Sequence, residues 1–322
     1  MTNNTGRNAC ATVLLAVLTA WSAEPVRERR NFDDGWRFYK GDASGGERAA
    51  FDDSAWRKVR LPHDWSIEGP YSGSNPSGNG YLPGGIGWYR KGFPAPETLR
   101  GRKVSIEFDG VYRDSDVWIN GHHLGHRPYG YSSFAYDLTP FLNFGARQNV
   151  LAVRVDHSVV ADSRWYTGSG IYRHVWLTVT QPVHVAHWGT YVRTPVAAEA
   201  EALVSFETAV RNESAAAAAV KLVTAIEDGA GHEVAAAAAE ERIPAGGAHT
   251  FAQQAVLAKP RLWSHTEPNL YTAVTRVFTG ETLADEYRTP FGIRAIRFDP
   301  NRGFFLNGKP EKLKGVCIHH DL

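Results

Sequence analysis

The chain has 322 residues, which is too many for a single ordinary hydrophobic core and therefore predicts two or more domains. Its 35 Lys and Arg residues are balanced by 34 Asp and Glu residues, and no basic run is longer than Arg27–Arg30, so the composition argues against a nucleic-acid partner. The 10 Trp, 13 Tyr, 15 Phe and 31 Gly residues favour a β-rich protein with many turns, in which most aromatic side chains belong to the core.

Residues 1–23 have the layout of a secretory signal peptide. Arg7 supplies a positive charge, Ala9–Ala20 form an apolar stretch, and Ala20-Trp21-Ser22 is a small-x-small cleavage site. The stretch is shorter than the about 20 residues that span a bilayer, so we expect no stable membrane insertion, although a retained anchor stays open as the alternative. The pattern predicts a secreted or periplasmic protein. Removal of the signal leaves Cys317 without an intrachain disulfide partner.

Two Trp-containing segments, Asn31–Phe38 and Phe51–Trp65, open the mature chain. In the second, Asp52-Asp53-Ser54 predicts a turn or a helix cap, because its side-chain oxygens bind backbone N–H groups. We expect the tryptophans to fill the interior of a β-sandwich. His63-Asp64 could suggest an acid/base pair, but neighbouring residues of an extended chain point to opposite faces, so a structural role is favoured.

The most loop-like segment follows at residues 71–87, with the sequence YSGSNPSGNGYLPGGIG, and Trp88–Lys91 continue as a strand. Two interpretations of this loop stay open. It is either a flexible surface connection or a loop that leaves its own domain to line the active site of another.

A long β-rich segment extends from Val104 to Leu142. Its residues Val104, Ile106 and Phe108 alternate with polar neighbours, which is the period of a half-buried strand. A second strand candidate ends at Asn120-Gly121, whose residues tolerate the positive φ of a tight hairpin turn. Another alternating strand, Val150–Val155, leads to the sequence DSRWYTGSGIYR at residues 162–173, in which the glycines permit a tight backbone.

A second domain is predicted over residues 183–291. Its runs Ala215–Ala219 and Ala235–Ala239 favour helix by propensity. Strand periodicity argues against helix, because apolar residues alternate with their neighbours over 204–210 and again over 220–226. Further strand candidates lie at 251–257 and 270–278. Several short strands separated by turns predict an immunoglobulin-like sandwich.

Together these segments resemble the N-terminal part of family 2 glycoside hydrolases, the group of β-galactosidases, β-mannosidases and β-glucuronidases. The resemblance rests on PHDW, FDGV, VWING, RWYTGSGIYR and the terminal GFFLNGKPEKLKGVCIHHDL. It implies an all-β fold with a jelly-roll sandwich over residues 30–181 and the immunoglobulin-like sandwich over 183–291. Residues 292–322 would begin the catalytic (β/α)₈ barrel, with Lys312–Ile318 as its first strand. We expect residues from about 292 onward to be poorly packed without the rest of that barrel.

The resemblance also implies substrate-binding residues for a β-linked oligosaccharide or glycoside. His319, and with it His320 and Asp321, would face the sugar from the end of the first barrel strand. Asp162, Arg164 and Trp165 lie in the loop that the relatives place at the barrel mouth. Arg164 could equally be the partner of an internal salt bridge.

The family hydrolyses β-glycosides with retention, through one acid/base Glu and one nucleophilic Glu whose carboxyl groups lie about 5 Å apart. In relatives both lie beyond the point that corresponds to Leu322, so we assign no catalytic residue and expect the chain alone to be inactive. The sequence also assigns no metal ligand, identifies no cofactor and leaves the oligomeric state open, although the full-length protein could form a homo-oligomer.

Three functional hypotheses follow. The chain is the N-terminal part of a secreted hydrolase truncated at the start of its barrel, a non-catalytic carbohydrate-binding module, or a structural surface protein. The first is favoured, because an unpaired apolar strand at the end of a complete module would promote aggregation. Within it, the sequences PHDW, GGIGWYRK and GVCIHHDL favour a β-galactosidase.

Overall fold

The computed structural model describes residues 25–159 and 166–317. The predicted signal peptide at residues 1–23 lies outside these ranges. Within them, no helix has the length and apolar character needed to cross a bilayer.

Twenty strands and four single-turn 3₁₀ helices make up the described chain. The strands are β1 Glu28–Asn31, β2 Trp36–Lys40, β3 Arg57–Val59, β4 Gly85–Phe93, β5 Lys103–Phe108, β6 Ser115–Ile119, β7 His122–Arg127, β8 Phe134–Asp137, β9 Asn149–His157, β10 Val175–Thr180, β11 Val183–Ala197, β12 Glu201–Asn212, β13 Ala218–Glu227, β14 Glu233–Ile243, β15 Ala248–Ala258, β16 Tyr271–Thr279, β17 Thr282–Phe291, β18 Ile296–Asp299, β19 Gly303–Leu306 and β20 Lys309–Pro310. The 3₁₀ helices are Ser66–Glu68, Ser77–Asn79, Glu97–Leu99 and Thr139–Phe141.

The first sandwich packs a six-stranded antiparallel sheet, in the order β3-β2-β4-β9-β6-β7, on a four-stranded sheet, in the order β1-β10-β5-β8. Strands distant in sequence are neighbours in both sheets, as in β4 beside β9 and β5 beside β10. The inward-facing residues Val104, Ile106 and Phe108 are buried in the shared core, which confirms the predicted period. Asn120 and Gly121 adopt φ values of 52° and 86° in the turn between β6 and β7, so the predicted hairpin is also confirmed.

The three tryptophans of the two opening segments lie at two different sites. Trp36 and Trp65 fill the core of the first sandwich as predicted. Trp56 instead lies on the outer face of the six-stranded sheet, where its ring stacks on Tyr39 at 5.5 Å. The segment before Trp56 is held by the buried Arg90, whose Nε donates to Asp53 Oδ2 at 2.8 Å. Sequence periodicity alone did not predict this covering layer.

The second sandwich packs the sheet β11-β12-β15 against the sheet β14-β13-β16-β17. Ala235–Ala239 lie in β14, where odd-numbered residues are half-buried and even-numbered ones exposed, so the choice of strand over helix is confirmed. Pairing with β13 decides this, because Leu222 lies opposite Ala239 and Ile226 opposite Ala235. The alternating residues of β12 and β13 supply much of the core, through Phe206, Leu222, Ile226, Val204 and Val220.

A small sheet of β18, β19 and β20 follows, and its Asn307-Gly308 turn has φ values of 50° and 77°. Ile293 is buried in the core of the second sandwich, and Phe305 and Leu306 are buried in β19, so the expectation of poor packing from residue 292 onward is wrong for these residues. Ile296 and Phe298 of β18 are exposed, as expected. The predicted barrel strand Lys312–Ile318 is also not found. Residues 311–317 form no strand, and Ile318 lies outside the described ranges. A strand requires a hydrogen-bonding neighbour, and no described strand pairs with this segment.

Candidate ligand-binding site

The six residues predicted to bind substrate lie outside the described chain. Asp162, Arg164 and Trp165 belong to residues 160–165, and His319, His320 and Asp321 belong to residues 318–322. Their roles therefore stay predictions. The structure does describe the segments on both sides of residues 160–165, and these segments form the candidate site.

Two sequence motifs that are distant in the chain meet at this site. The PHDW segment runs beside the GSGIY segment, with the backbone N–H of His63 donating to Ile171 at 2.9 Å and that of Trp65 donating to Ser169 at 3.1 Å. Neither pairing is part of a regular sheet. The PHDW segment thus fixes the course of residues 169–171, which follow residues 160–165 in the chain.

Asp64 is the anchor between the two motifs. Its Oδ1 accepts hydrogen bonds from the backbone N–H groups of Ser66 at 2.9 Å and Ser169 at 2.8 Å. Its Oδ2 accepts from the Tyr166 hydroxyl at 2.5 Å. Burial, together with this carboxylate, raises the pKa of Tyr166 above its usual range, so the tyrosine remains a donor. With three donors in place, Asp64 orders the backbone and is not available as a catalytic base.

Gly168 allows this arrangement. Its φ of +70° lies in the left-handed region, and a Cβ at this position would lie 2.5 Å from Asp64 Oδ2. A side chain would therefore be strained by the backbone and would also displace the carboxylate. The close approach to Asp64 explains why glycine occupies this position of the GSGIY segment.

His63 faces a different set of partners. Its Nδ1 lies 2.7 Å from the Tyr89 hydroxyl, and its Nε2 lies 3.2 Å from Glu68 Oε1. Burial lowers the pKa of His63, although the charge of Glu68 opposes this shift. The imidazole is therefore a neutral, hydrogen-bonded part of the interior, and His63 and Asp64 bind different partners, in line with the structural role expected for them.

A cavity of about 290 Å³ opens beside this junction. The loop 71–87 supplies Asn75, Asn79 and Pro83 to its wall, and the flanks of residues 160–165 supply His157 and Thr167. Thr167 Oγ1 donates to Asn79 Oδ1 at 3.2 Å, and Asn79 Nδ2 donates to the Leu82 carbonyl at 3.1 Å. The loop is thus anchored to the sandwich at Asn79. Its part in an active site stays a prediction.

Lys40 is a member of this region that sequence analysis missed. Its ammonium group donates to the Gly84 carbonyl and lies 4.8 Å from the centre of the Trp65 ring. Desolvation lowers the pKa of Lys40 to about 8, despite the opposing charges of Asp64 and Glu68. Nothing near Lys40 in the sequence indicates this contact, because its partners lie more than twenty residues away.

The chemistry available at the cavity is that of hydrogen-bonding groups. Amide, hydroxyl and imidazole side chains line it beside apolar prolines, which suits a ligand rich in hydroxyl groups. Among the described lining residues there is no carboxylate. The nearby Glu68 is held by Arg57, whose Nη2 lies 2.5 Å from Oε2. Burial alone would raise the pKa of Glu68, but the hydrogen bonds and charges of Arg57 and His63 lower it overall. These residues therefore supply binding groups and no retaining carboxylate pair.

The described residues also offer no cluster of metal ligands. Within 25–159 and 166–317, no group of three or more His, Cys, Asp or Glu side chains is placed to hold an ion.

Two family models match the chain and define the class of proteins to which it belongs. Residues 54–182 match the family model described as "Glycosyl hydrolases family 2, sugar binding domain". Residues 183–294 match the model "Glycosyl hydrolases family 2". The chain belongs to glycosyl hydrolase family 2, which confirms the resemblance inferred from its motifs.

Proteins similar to this chain are named as β-galactosidases or as β-glucuronidases. A β-galactosidase of Bacteroides ovatus is 47% identical over 310 residues, covering 96% of this chain and 36% of that protein. A β-glucuronidase of Bacteroides fragilis is 30% identical over 325 residues, covering 97% of this chain and 44% of that protein. The solved structure of a family 2 member from Bacteroides cellulosilyticus superposes with a TM-score of 0.86 at 39% identity, covering 91% of this chain and 38% of that one. The chain thus spans less than half the length of these relatives.

Proposed function

We propose that this chain forms the N-terminal sandwiches of a retaining β-glycosidase that hydrolyses O-glycosidic bonds in β-linked oligosaccharides. The observation that carries this proposal is the match of both sandwiches to family 2 models, together with relatives named as glycosidases. In this role the sandwiches hold the loop 71–87 in place beside the substrate. Asp162, Arg164 and Trp165 would contact the sugar, and so would His319, His320 and Asp321 from the segment that follows residue 317.

We propose a β-galactosidase as the specific activity. The 47% identity to the Bacteroides ovatus β-galactosidase supports this choice. A β-glucuronidase is the second candidate, supported by the Bacteroides fragilis relative. The two substrates differ in the group at C5, a hydroxymethyl in one and a carboxylate in the other, and in the configuration at C4, so a pair of aryl glycosides separates the two activities.

The test begins with the coding DNA beyond codon 322. The longest open frame would be expressed and assayed with aryl β-galactoside and aryl β-glucuronide, with the 322-residue chain as the control. We expect the longer product to hydrolyse the β-galactoside with retention of the anomeric configuration, and the control to be inactive. Turnover by the control chain would contradict the absence of the catalytic pair from residues 1–322. A stop codon directly after Leu322, with no turnover, would contradict the hydrolase proposal.

A non-catalytic carbohydrate-binding module is a second function that one observation favours. The described lining of the 290 Å³ cavity contains hydrogen-bonding groups but no carboxylate. Calorimetry with β-linked oligosaccharides separates this module from a purely structural surface protein, for which no sugar affinity is expected.

We also propose that the protein is secreted or periplasmic, on the strength of the pattern in residues 1–23. Amino-terminal sequencing of the exported protein would test this. A first residue close to position 24 supports cleavage, and recovery of an intact amino terminus in the cytoplasm would contradict it.

A further inference from the structure

A larger cleft of about 580 Å³ lies between the two sandwiches, with no lining residue in common with the cavity described above. One wall is the outer face of the four-stranded sheet, which contributes residues of β1, β5 and β10. The other wall is formed by the first half of β11 and by β17. Ligand sites occur preferentially at such junctions between domains.

The first wall holds a carboxylate with unusually long contacts. The Glu107 side chain is only 9% exposed, yet its Oε2 lies 3.4 Å from Arg29 Nη2 and 4.0 Å from His187 Nδ1. Asp285, a buried carboxylate at the same junction, accepts two hydrogen bonds from Arg27 at 2.9 and 2.7 Å and one from the Val185 N–H at 2.8 Å. Buried carboxylates normally have close donors like those of Asp285. Glu107 therefore retains capacity to accept hydrogen bonds in the cleft.

The second wall presents an exposed tryptophan on a strained backbone. Trp188 has a φ of +49° and is 59% exposed. A left-handed conformation is rare for a bulky side chain, and exposure of an indole ring is also unfavourable. The left-handed backbone and the exposed indole ring each raise the free energy of the folded chain. Their combination at Trp188 indicates that this side chain contacts a ligand or partner outside the chain.

A β-bulge produces this presentation. Val185 pairs with Val210 and Thr190 with Thr208, so residues 186–189 bulge out opposite Ala209. A Cβ on Gly189 would lie 2.8 Å from the Ala186 carbonyl oxygen, so only glycine allows the tight return of the chain. Bulges of this kind redirect a side chain away from the regular strand. Here the bulge turns Trp188 toward the cleft.

His187 connects the two walls. Its ring centre lies 4.3 Å from that of Trp188, and its Nδ1 is the atom that approaches Glu107. Desolvation lowers the pKa of His187, although the charge of Glu107 opposes this shift. A neutral imidazole can donate one hydrogen bond and accept another.

We propose that this cleft is a second saccharide-binding site, in which Trp188 stacks on a sugar ring and Glu107 accepts hydrogen bonds from its hydroxyl groups. A sugar ring has an apolar C–H face and a hydroxyl rim, and the cleft offers an aromatic face beside a carboxylate with open acceptor capacity. The site is distinct from the 290 Å³ cavity and takes no part in bond cleavage.

The basic residues of the cleft have partners within the protein. Lys103 Nζ is paired with Asp137 at 2.8 Å, and Arg211 lies 3.8 Å from Glu213. Arg27 is held by Asp285, and Arg288 is held by Glu227. Arg29 lies 3.4 Å from Glu107, and its side chain is 44% exposed. The cleft thus offers a cation as well as a carboxylate, and its charges alone do not distinguish a neutral sugar from an acidic one.

The test is isothermal titration calorimetry on the whole chain with β-1,4-linked galactotetraose. The variants are Trp188→Asn and Glu107→Gln, because asparagine tolerates the left-handed region and glutamine keeps the shape of glutamate. The matched control is Tyr191→Ala, which removes another exposed aromatic of β11 that does not line the cleft. We expect each cleft variant to weaken binding about tenfold, and the control to bind as the wild type does. Trp188→Asn should keep or raise the melting temperature, since it relieves backbone strain.

Several results would overturn the inference. These are a wild-type chain that does not bind the oligosaccharide, variants that bind it as the wild type does, or a Trp188→Asn variant that changes only the oligomeric state in sedimentation. A fall in the melting temperature of Trp188→Asn, together with normal binding by Glu107→Gln, would also overturn it, because Trp188 would then be a packing residue. The inference deepens the proposed function by naming a saccharide ligand, but the test measures binding without turnover. An inactive enzyme would therefore leave it standing.

Discussion

The carboxylate of Asp64 accepts a 2.8 Å hydrogen bond from the backbone N–H of Ser169, which lies 105 residues further along the chain. This single contact joins the PHDW and GSGIY motifs and sets the direction in which the chain leaves residues 160–165.

Replacement of Gly168 by alanine tests this junction. Both the positive φ and the 2.5 Å separation that a Cβ would have from Asp64 oppose a side chain, so we expect Gly168→Ala to lower the free energy of unfolding by about 2–5 kcal/mol. Gly101→Ala is the control, because Gly101 has a φ of +84° but no atom within 4 Å of the place that a Cβ would take. It should cost only about 1–2 kcal/mol. If urea denaturation gives the same loss of unfolding free energy for both variants, the contact with Asp64 has no effect.

The contact between the two sandwiches provides a second prediction. Arg27 binds Asp285 through its Nε and Nη2 atoms, and Asp285 is fully buried. Arg27→Met should lower the free energy of unfolding by about 3–5 kcal/mol, because it leaves a buried carboxylate without its cation. Arg193→Met removes a 2.6 Å pair between side chains that are about half exposed, and should cost less than about 1 kcal/mol. Guanidinium denaturation followed by tryptophan fluorescence measures both. Similar losses in the two variants would refute the prediction.

Stability should depend on pH through His63, which is buried, and His184, whose side chain is 12% exposed. Burial lowers the pKa of His63 and of His184 below the value of about 6.5 that an unfolded chain has. The unfolded state therefore binds more protons, so the contribution of each histidine is fully present above about pH 6.5 and is lost as the pH falls toward its folded-state pKa. We expect the melting temperature to decrease from pH 7 to pH 5.

His63→Asn should reduce the slope of melting temperature against pH, whereas His232→Asn, at a side chain that is 79% exposed, should not. A wild-type melting temperature that is constant over this range would be inconsistent with the assignment.

Hydrogen exchange distinguishes the two parts of the C-terminal segment. Residues 303–306 pair in β19 and include the buried Phe305 and Leu306, so their amides should exchange slowly. The Glu311 N–H donates to the Phe304 carbonyl at 2.9 Å. Residues 312–317 have no strand partner among the described residues, and Val316 is 85% exposed, so their amides should exchange within seconds. Exchange measured by mass spectrometry on the whole chain tests both statements. Strong protection of residues 312–317 would show that they pair with a segment outside the described ranges.

Much of the fold could be predicted because the relevant preferences are local. The alternation of Val104, Ile106 and Phe108 defines a strand face wherever the strand lies, and Asn-Gly pairs favour positive φ in any hairpin. The alanine runs are the instructive case. Helix propensity and strand periodicity disagreed there, and burial against the opposite sheet favoured the strand in β14.

The site was less predictable, because its contacts are not local. Loop 71–87 has a composition typical of a turn-rich connection, but the burial of Asn79 and Leu82 depends on contacts with a segment more than eighty residues away. Lys40 has no distinguishing neighbours in the sequence. The first barrel strand was predicted from its resemblance to the family, yet a strand also needs a partner, and a motif alone cannot supply one.

By itself, then, the sequence determined the family, the all-β class and the two sandwiches, because these follow from periodicity, turn residues and motifs that act over a few positions. Only the tertiary structure decided that Asp64 is an anchor, that Trp56 lies outside the core and that Glu107 and Trp188 face one cleft. Each of these depends on residues brought together from distant parts of the chain, and the free energy of such a contact is set by burial and geometry that local sequence does not encode.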